Sequence, residues 1–194
     1  MQPKATAEHP SREMNEKEIV KKLQKGNLDA LKELWENYSS HVLNLSFRML
    51  LDRDLAEDLL MDIFVQIPDA IQNFRGESSL STWIYALTKN ACLMKIRKEK
   101  VHLRIEKTQR NEIHESSFGE SASESSRLAK DSLFYGLSVL TQEQRSLLWL
   151  KDAEGFDLKT LSQIFQAPEG TLKARLSRSR TQVRDFLKKE KSYA

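Results

Sequence analysis

Residues 75–100 of the chain, RGESSLSTWIYALTKNACLMKIRKEK, contain the pattern that decides how the sequence is interpreted. From Leu80 onward the apolar residues recur every three or four positions, which predicts one amphipathic helix. Cations and aromatic residues share the remaining faces of that helix. Because cations neutralise phosphates and aromatic rings stack on unpaired bases, the pattern favours contact with nucleic acid. This stretch alone leaves one alternative open, an ordinary surface helix with a buried tryptophan.

The same helical period extends over most of the chain, and no segment alternates with the period of a strand. Residues 106–126 lack the helical period; they are rich in serine and glutamate and bury too little apolar surface to fold alone. The sequence therefore predicts an all-α fold of two small helical domains joined by a flexible linker. We expect the first domain at 16–105, the linker at 106–127 and the second domain at 128–190.

Helices are expected in the first domain at 16–25, 28–51, 54–73 and 80–100. The third helix has an aliphatic face formed by Leu55, Leu59, Ile63, Ile67 and Ile71. Its other side carries acids, with apolar residues at their border: Asp54, Glu57, Asp58 and Asp62, beside Leu60, Met61 and Phe64. Such a mixed surface suits docking on another protein, and a solvated face is the alternative. Pro68 is expected to end or bend this helix.

The second domain has the pattern of a helix-turn-helix, with helices expected at 142–153, 157–165 and 169–189. Gly155 ends the first of these, and Asp157 caps the second. The start of the last helix points polar and cationic side chains outward, including Lys173, Arg175, Ser177 and Arg178. This is the part of a helix-turn-helix that enters the DNA major groove. A purely structural helix pair is the alternative.

Charge is sorted along the chain, although the net charge is only +3. Residues 27–73 contain nine acids and three bases, whereas 74–110 contain nine bases and three acids. Residues 111–126 contain four glutamates and no lysine or arginine, and 157–194 contain nine bases and four acids. Segregation of this kind is typical of a protein that docks on a basic protein surface and also on DNA.

Sequence features of an enzyme or a membrane protein are lacking. The single Cys92 excludes an internal disulfide, and the four histidines do not have the spacing of a zinc site. A phosphate-binding glycine loop and a His-based nucleophile pair are also missing, so we expect no catalytic residue, no metal and no cofactor. No window approaches the roughly 18 apolar residues of a membrane helix, so we expect a cytoplasmic protein.

Three segments, in chain order, resemble the extracytoplasmic-function sigma factors, the small two-domain alternative sigma factors of bacterial RNA polymerase. Residues 54–64, DLAEDLLMDIF, look like the family's polymerase-clamp-binding helix. Residues 74–85, FRGESSLSTWIY, together with Asn90, look like its promoter-melting segment. Residues 140–178, from LTQEQR to GTLKARLSR, look like the part that recognises the upstream promoter element. The resemblance covers about residues 28–100 and 133–188.

The resemblance implies a protein that binds core RNA polymerase, recognises the −35 and −10 promoter elements and helps to melt the DNA. It assigns contact with the polymerase clamp helices to Glu57, Asp58, Leu59 and Asp62. It assigns contact with the −10 element to Phe74, Arg75, Trp83, Tyr85 and Asn90. It assigns contact with the −35 element to Lys173, Arg175, Ser177 and Arg178. The implied partners are the clamp helices and flap of core polymerase, promoter DNA and an anti-sigma factor, with no insertion into a membrane.

The chain departs from the family pattern at a few positions. Pro68 replaces a frequent tryptophan, Met61-Asp62 replaces a common Gln-Glu pair, and Ala174 and Ser177 lie on the DNA-recognition helix where polar or larger residues are often found. These changes predict an unusual polymerase contact and an unusual promoter sequence. The alternative is a helix-turn-helix regulator that acts without polymerase, with a first domain for ligand binding or oligomerisation.

Overall fold

The computed structural model describes residues 10–109 and 137–193, with side chains described over 16–98 and 137–189. Within these ranges the chain consists of helices, and no strand occurs there, which confirms the expected all-α fold. The first domain contains α1 Pro10–Gln24, α2 Asp29–Leu50, α3 Arg53–Ala70 and α4 Leu80–Gln109. The second domain contains α5 Gln142–Asp152, α6 Leu158–Phe165 and α7 Glu169–Tyr193.

Side-chain caps fix where several of these helices begin. The Asp52 carboxylate accepts a hydrogen bond from Leu55 N at 3.0 Å at the start of α3. The Ser79 hydroxyl accepts one from Thr82 N at 3.1 Å at the start of α4. These oxygens satisfy backbone N–H groups that have no partner inside a helix, so the loops that precede α3 and α4 are held in place.

Pro68 was expected to end or bend helix α3, because proline has no backbone N–H, and the helix does not end there. The helix continues to Ala70, and a 3-10 turn over Ile71–Asn73 follows. The carbonyl oxygen of Pro68 accepts a hydrogen bond from Gln72 Nε2 at 3.2 Å, and the same amide lies 3.3 Å from Leu23 O of α1. The side chain of Gln72 therefore ties the end of α3 to α1, and packing keeps the segment helical beyond the proline.

Helix α2 is the centre of the first domain and packs against α1, α3 and α4. Its buried residues recur at helical spacing, and they are Leu34, Tyr38, Val42, Leu45 and Met49. They meet the buried faces of α3 and α4, which include Ile63, Ile67 and Ile84. Each fully buried aliphatic side chain stabilises the fold by about 1.5–3 kcal/mol relative to its exposed state.

The second domain forms the expected helix-turn-helix. Its α6 begins after Asp157, whose carboxylate accepts a hydrogen bond from Thr160 N at 2.7 Å. It ends at Phe165, and the next residue, Gln166, has a left-handed conformation with φ 50°. Pro168 then leads into α7. The three helices share a small hydrophobic core formed by Leu147, Leu150, Leu161, Ile164, Leu172 and Leu176.

The two domains contact each other directly, with α2 against α5 and α4 against α6. Buried residues of both domains form one continuous hydrophobic cluster. Helix α4 continues to Gln109, so the first residues of the expected linker are helical. The rest of that linker, from 110 to 127, lies outside the described residues. The domain boundaries expected from the sequence stay predictions.

Candidate nucleic-acid and protein interfaces

Helix α3 exposes a mixed acidic and apolar face. Asp58 and Asp62 are exposed, and Glu57 is exposed while its carboxylate accepts a hydrogen bond from Arg53 Nε at 2.8 Å. With about 100° of rotation per residue, Met61 and Val65 fall on the same side of the helix as these acids. Met61 is 56% exposed and Val65 is 73% exposed. Apolar area and negative charge therefore lie side by side on this face.

Leu59 does not belong to that exposed face, although the family resemblance assigned it to the polymerase contact. It is buried in the hydrophobic core, as are Leu60 and Phe64, which the sequence placed at the border of the acids. Leu59 faces inward because it shares the aliphatic stripe of α3 with Ile63 and Ile67. In this structure it positions the acidic face and does not form part of it.

Sequence reasoning missed two apolar residues beside this face, Val65 and Trp35. The spacing of Val65, four positions after Met61, was a signal that could have located it. Trp35 on α2 packs its ring edge-on against Phe64 at a centroid distance of 4.7 Å and stays partly exposed. A contact between helices that are distant in sequence placed Trp35 here, and no local pattern indicates it.

A short loop brings two predicted −10 residues together at the start of α4. Phe74 ends the 3-10 turn in an extended conformation, and Gly76 turns the chain with a φ of 74°. The Phe74 and Trp83 rings then lie 5.4 Å apart, tilted by 50°, and both side chains are half-buried. Arg75 is exposed in the same loop. The arrangement presents two aromatic rings and a cation beside a helix start.

Asn90 extends this surface along α4. It is exposed and lies seven residues after Trp83, so the two side chains point in nearly the same direction, about 10 Å apart along the helix axis. Met94 and Arg97 continue the exposed strip toward the basic end of α4. The structure therefore aligns Trp83 and Asn90 on one accessible line.

Tyr85 lies on a different face, and its expected exposure is wrong in this conformation. It is two residues after Trp83, which turns its side chain by about 200°, and it is 5% exposed. Its ring packs edge-on against Phe156 at 4.9 Å, and its hydroxyl lies 3.1 Å from His41 Nδ1 and donates to Glu154 Oε2 at 3.4 Å. Tyr85 is thus covered by the second domain.

The hydrogen bond with His41 lowers the pKa of Glu154, together with the contacts from Tyr85 and Trp149, although burial acts in the opposite direction. The His41 ring nitrogen lies 3.5 Å from the Glu154 carboxylate. This polar cluster surrounds the hydroxyl of Tyr85 at the domain interface. The carboxylate of Glu154 is therefore held in its charged form between the domains.

The first half of α7 carries the residues predicted to recognise the −35 element. Lys173, Ser177 and Arg178 are exposed, whereas Leu172 and Leu176 face the hydrophobic core. These three residues lie on the solvent side of the helix. Viewed along the helix axis, the small residues Ala174 and Ser177 lie between Lys173 on one border and Arg178 on the other. A surface with a flat centre and cationic edges can approach the floor and walls of a DNA groove.

Arg175 has a more restricted position on α7 than Lys173 or Arg178. It is half-buried, and its Nη1 lies 3.5 Å from the Glu143 carboxylate of α5. Its backbone carbonyl accepts a hydrogen bond from the buried Ser179 hydroxyl at 2.9 Å. The guanidinium therefore lies at the edge of the exposed face.

Within the described residues there is no exposed cysteine thiol, no cluster of metal-binding side chains and no helix that could span a membrane. Cys92 is fully buried, and burial raises the pKa of its thiol to about 12, so the thiol is not poised for reaction. Residues 10–109 and 137–193 contain no group of three or more His, Cys, Asp or Glu that could hold a metal ion. Within the same ranges, no helix combines the length and apolar composition needed to cross a bilayer.

Two family models match the chain in the order of its two domains. The model described as Sigma-70 region 2 matches residues 34–101, which include α3 and most of α4. The model described as Sigma-70, region 4 matches residues 135–183, which include α5, α6 and the first half of α7. The acidic face and the aromatic loop therefore lie in the region 2 match, and the basic half of α7 lies in the region 4 match.

Similar proteins and structures extend over most of the chain. The ECF RNA polymerase sigma factor SigW of Bacillus subtilis (strain 168) is 26% identical over 185 residues, which is 91% of this chain and 98% of that protein. The ECF RNA polymerase sigma-E factor of Haemophilus influenzae is 23% identical over 190 residues, which is 88% of this chain and 94% of that protein.

Two solved structures show the same fold. CnrH, in complex with the cytosolic domain of CnrY, superposes with a TM-score of 0.67 at 14% identity, over 90% of this chain and 97% of that chain. RpoE of Bartonella quintana, in complex with the anti-sigma factor NepR, gives a TM-score of 0.63 at 21% identity, over 81% of this chain and 96% of that chain. With both family models matched in order and full-length relatives of one kind, the chain belongs to the sigma-70 family, as an extracytoplasmic-function sigma factor.

Proposed function

We propose that this sigma factor uses three separate surfaces in turn: the face of α3 for polymerase, the start of α4 for the −10 element and the first half of α7 for the −35 element. The observation that supports this most strongly is that each surface has its own chemistry and is at least partly exposed. An acidic and apolar face, an aromatic pair with an amide, and a basic helix start have one joint use in transcription initiation. A regulator that acts without polymerase would need the last of these alone.

The polymerase contact is assigned to Asp58, Asp62, Met61 and Val65. The two carboxylates give long-range attraction to basic helices and set the orientation of docking. Met61 and Val65 then lose water on contact, and burial of apolar area contributes about 25 cal/mol per Å². Glu57 takes a smaller part, because its carboxylate already binds Arg53.

The −10 contact is assigned to Phe74, Arg75, Trp83 and Asn90. Removing a base from the duplex stack costs a few kcal/mol, and an aromatic surface that accepts the base offsets that cost. Trp83 and Phe74 form such a surface, Arg75 provides a cation for the backbone, and the Asn90 amide can make paired hydrogen bonds with a base edge. Tyr85 would join this group only after its face of α4 becomes exposed.

The −35 contact is assigned to Lys173, Ser177 and Arg178 on the exposed side of α7, with Arg175 at its border. Lys173 and Arg178 can reach guanine or phosphate, and the small Ser177 lets the helix approach the bases closely. Arg180 lies on the same helix, but it binds the Asp152 carboxylate with two nitrogens, at 2.6 and 3.2 Å. We therefore assign Arg180 to the packing of α7 on α5.

The partners we propose are core RNA polymerase, promoter DNA and an anti-sigma factor. The first two follow from the family, and the third is supported by RpoE of Bartonella quintana, whose structure contains an anti-sigma factor. The place of action would be the cytoplasm, where polymerase and chromosome meet.

Run-off transcription tests this proposal. Purified protein is added to core polymerase from the source bacterium, and transcripts are scored across promoter fragments of that genome. We expect discrete transcripts that start a fixed distance from shared −35 and −10 sequences and that require both components. If the protein binds promoter fragments but never directs core polymerase to a start site, the regulator hypothesis replaces this one.

A further inference from the structure

The side chain of Gln24, at the end of α1, holds the start of the loop that precedes α4. We call residues 74–80 the −10 loop. Gln24 is half-buried, and its Nε2 donates to Ile71 O and to Phe74 O, each at 3.0 Å. A primary amide has two N–H groups, and both have an acceptor here. Because Ile71 O also accepts a hydrogen bond from Phe74 N, Gln24 fixes the direction in which Phe74 leaves the 3-10 turn.

Glu16, about two turns earlier on α1, holds the other end of the same loop. One of its carboxylate oxygens accepts a hydrogen bond from Leu80 N, at the start of α4, at 3.2 Å. The other accepts one from the hydroxyl of the buried Tyr38 at 2.5 Å. Leu80 N has no acceptor inside its own helix, so Glu16 caps α4 from a distant part of the sequence. We call Glu16 and Gln24 the α1 brace.

Helix α1 is itself anchored, so the brace has a fixed base. Ile19 and Leu23 are 1% and 2% exposed and belong to the hydrophobic core, and α1 packs on α2. The brace leaves residues 75–79 as the span between its two ends. At the first end, the Phe74 ring lies 5.4 Å from the ring of Trp83. The contacts of α1 therefore determine where the aromatic pair and the exposed span are placed.

The α1 brace lies outside the residues that the family resemblance assigned to DNA. The region 2 match begins at residue 34, and α1 ends before it. A loop that is already ordered loses less conformational entropy when it captures a base than a loop that must first be ordered. The net contribution of two hydrogen bonds is enough to change such an affinity by about tenfold.

We propose that Glu16 and Gln24 are positioning residues for −10 recognition: they hold the −10 loop in the conformation that receives an unpaired base. The ordering of the loop then takes place when the protein folds and not when the base is captured. Helix α1 acts through the loop and need not touch DNA itself. This inference rests on the proposed function, because it takes Phe74 and Trp83 as the surface that accepts the base.

The test uses the full chain, alone and in complex with core polymerase, with changes at position 24. Gln24→Met keeps the length of the side chain and removes both donors. Gln24→Glu keeps the shape as well and directs a carboxylate oxygen toward two carbonyl oxygens. The control for the charge is Lys21→Gln, which changes the net charge equally at an exposed position about one turn earlier on α1. Far-UV circular dichroism and thermal unfolding establish that each variant is folded.

A second pair of variants tests the other end of the −10 loop. Glu16→Ala removes both acceptor oxygens. Glu16→Gln keeps one oxygen that can accept the hydrogen bond from Leu80 N, so it is the conservative variant that should rescue part of the loss.

Two measurements separate a positioning role from a general loss of stability. Hydrogen–deuterium exchange of the free protein, measured on peptides that cover residues 71–83, reports whether the −10 loop is held. Fluorescence anisotropy of the polymerase complex with a single-stranded non-template oligonucleotide measures −10 recognition. The oligonucleotide carries the −10 element found by run-off transcription, and the quantity compared is the Kd for a scrambled −10 sequence divided by the Kd for the intact one. Affinity for core polymerase is measured in parallel.

We expect Gln24→Met and Gln24→Glu to speed exchange in the −10 loop and to lower this Kd ratio by about tenfold, with affinity for core polymerase unchanged. Glu16→Ala should act in the same direction, and Glu16→Gln should have a smaller effect. Lys21→Gln should change neither the exchange nor the Kd ratio.

Unchanged exchange in the −10 loop of both Gln24 variants would overturn the α1 brace. Faster exchange with an unchanged Kd ratio, or a ratio that falls only together with the affinity for core polymerase, would overturn the positioning role. If the wild-type complex shows no preference for the intact −10 sequence, the proposed −10 contact fails. The exchange measurement keeps that failure distinct, because it reports on the contact between α1 and the loop without DNA.

Discussion

Reversing two charges on α3, Asp58→Lys with Asp62→Lys, should weaken the binding of core polymerase without unfolding the protein. The two carboxylates are exposed and lie one helical turn apart on the same face. After the change, the ammonium group introduced at position 58 would face Asp54 one turn earlier and form an ordinary surface pair. Substitutions at exposed positions of this kind usually change the free energy of unfolding by less than about 0.5 kcal/mol.

The expected loss of affinity follows from the exposure of the two acids. Opposite charges 4 Å apart in water attract by about 1 kcal/mol, and reversing one of them turns attraction into equal repulsion, a change of about 2 kcal/mol at each site. Screening at physiological salt reduces the sum of about 4 kcal/mol, because the Debye length is about 8 Å. A loss of about 2–4 kcal/mol corresponds to a roughly 30- to 1,000-fold rise in Kd.

Titration of labelled protein with core polymerase at 50 and 200 mM salt measures this loss. The control is Asp29→Lys with Asp185→Lys, which changes net charge equally at exposed positions on α2 and α7. The wild-type protein and the control should bind alike and lose affinity with salt, whereas the α3 variant should bind weakly at both concentrations. A folded α3 variant whose Kd stays within threefold of wild type would refute the docking face.

The remaining predictions address DNA, stability and the thiol. Trp83→Ala and Asn90→Ala should leave polymerase binding intact but reduce open-complex formation, and a premelted promoter bubble should restore most of the loss in a transcription assay. Arg178→Ala should cost about 1–3 kcal/mol of promoter affinity, as measured by DNA titration at two salt concentrations. If Arg178 contacts a base, the preference at one −35 position should relax; if it contacts phosphate, the slope of log affinity against log salt should fall by about one. Asp157→Ala removes the cap of α6 and should lower the free energy of unfolding by about 1 kcal/mol at pH 7. Because the hydrogen bond from Thr160 N holds the pKa of Asp157 below 3.8, this difference should persist down to that pH and vanish as the pH falls through the lowered pKa in thermal unfolding. Cys92, with its pKa of about 12, should react with a thiol reagent at pH 8 only after denaturation, and fast reaction of the native protein would contradict its burial.

The spacing of apolar residues in the sequence was enough to predict the helices that bury a single apolar stripe. The helix from Arg53 onward, the helix from Leu80 and the helix-turn-helix were all predicted because apolar residues repeat at three or four positions. Capping chemistry also predicted the start of α6 at Asp157. Pro68 does not end α3, because the burial of Ile67 and Ile71 on the inner face of the helix outweighs the local propensity of proline.

The direction of single side chains was harder to predict. Leu59 and Tyr85 were assigned by their place in a family motif, yet a count of 100° per residue puts Leu59 in the aliphatic stripe and Tyr85 opposite Trp83. This rotation can be counted from the sequence. A family motif alone therefore does not decide which face of a helix a residue occupies. It also explains why Trp83 and Asn90 fall on one line.

The domain interface could not be predicted from the sequence. Lys89 of α4 donates to Ile164 O of α6, and Arg145 of α5 donates to Met49 O of α2. The two cations are separated by 56 positions, and nothing local marks either residue as the cap of a distant helix. Burial of charged side chains is rare, so composition favours an exposed position for both. The contact depends on the complete surfaces of α2, α4, α5 and α6, and these exist only after each domain has folded.

Permanganate footprinting of a promoter found by run-off transcription shows whether this chain directs promoter melting, since unpaired thymines react and paired ones do not. We expect reactive thymines around the −10 element only when core polymerase and this protein are both present, and we expect Trp83→Ala to abolish that reactivity. Equal reactivity with core polymerase alone, or DNA that stays unreactive in a complex containing both proteins, would contradict the claim that this chain directs promoter melting.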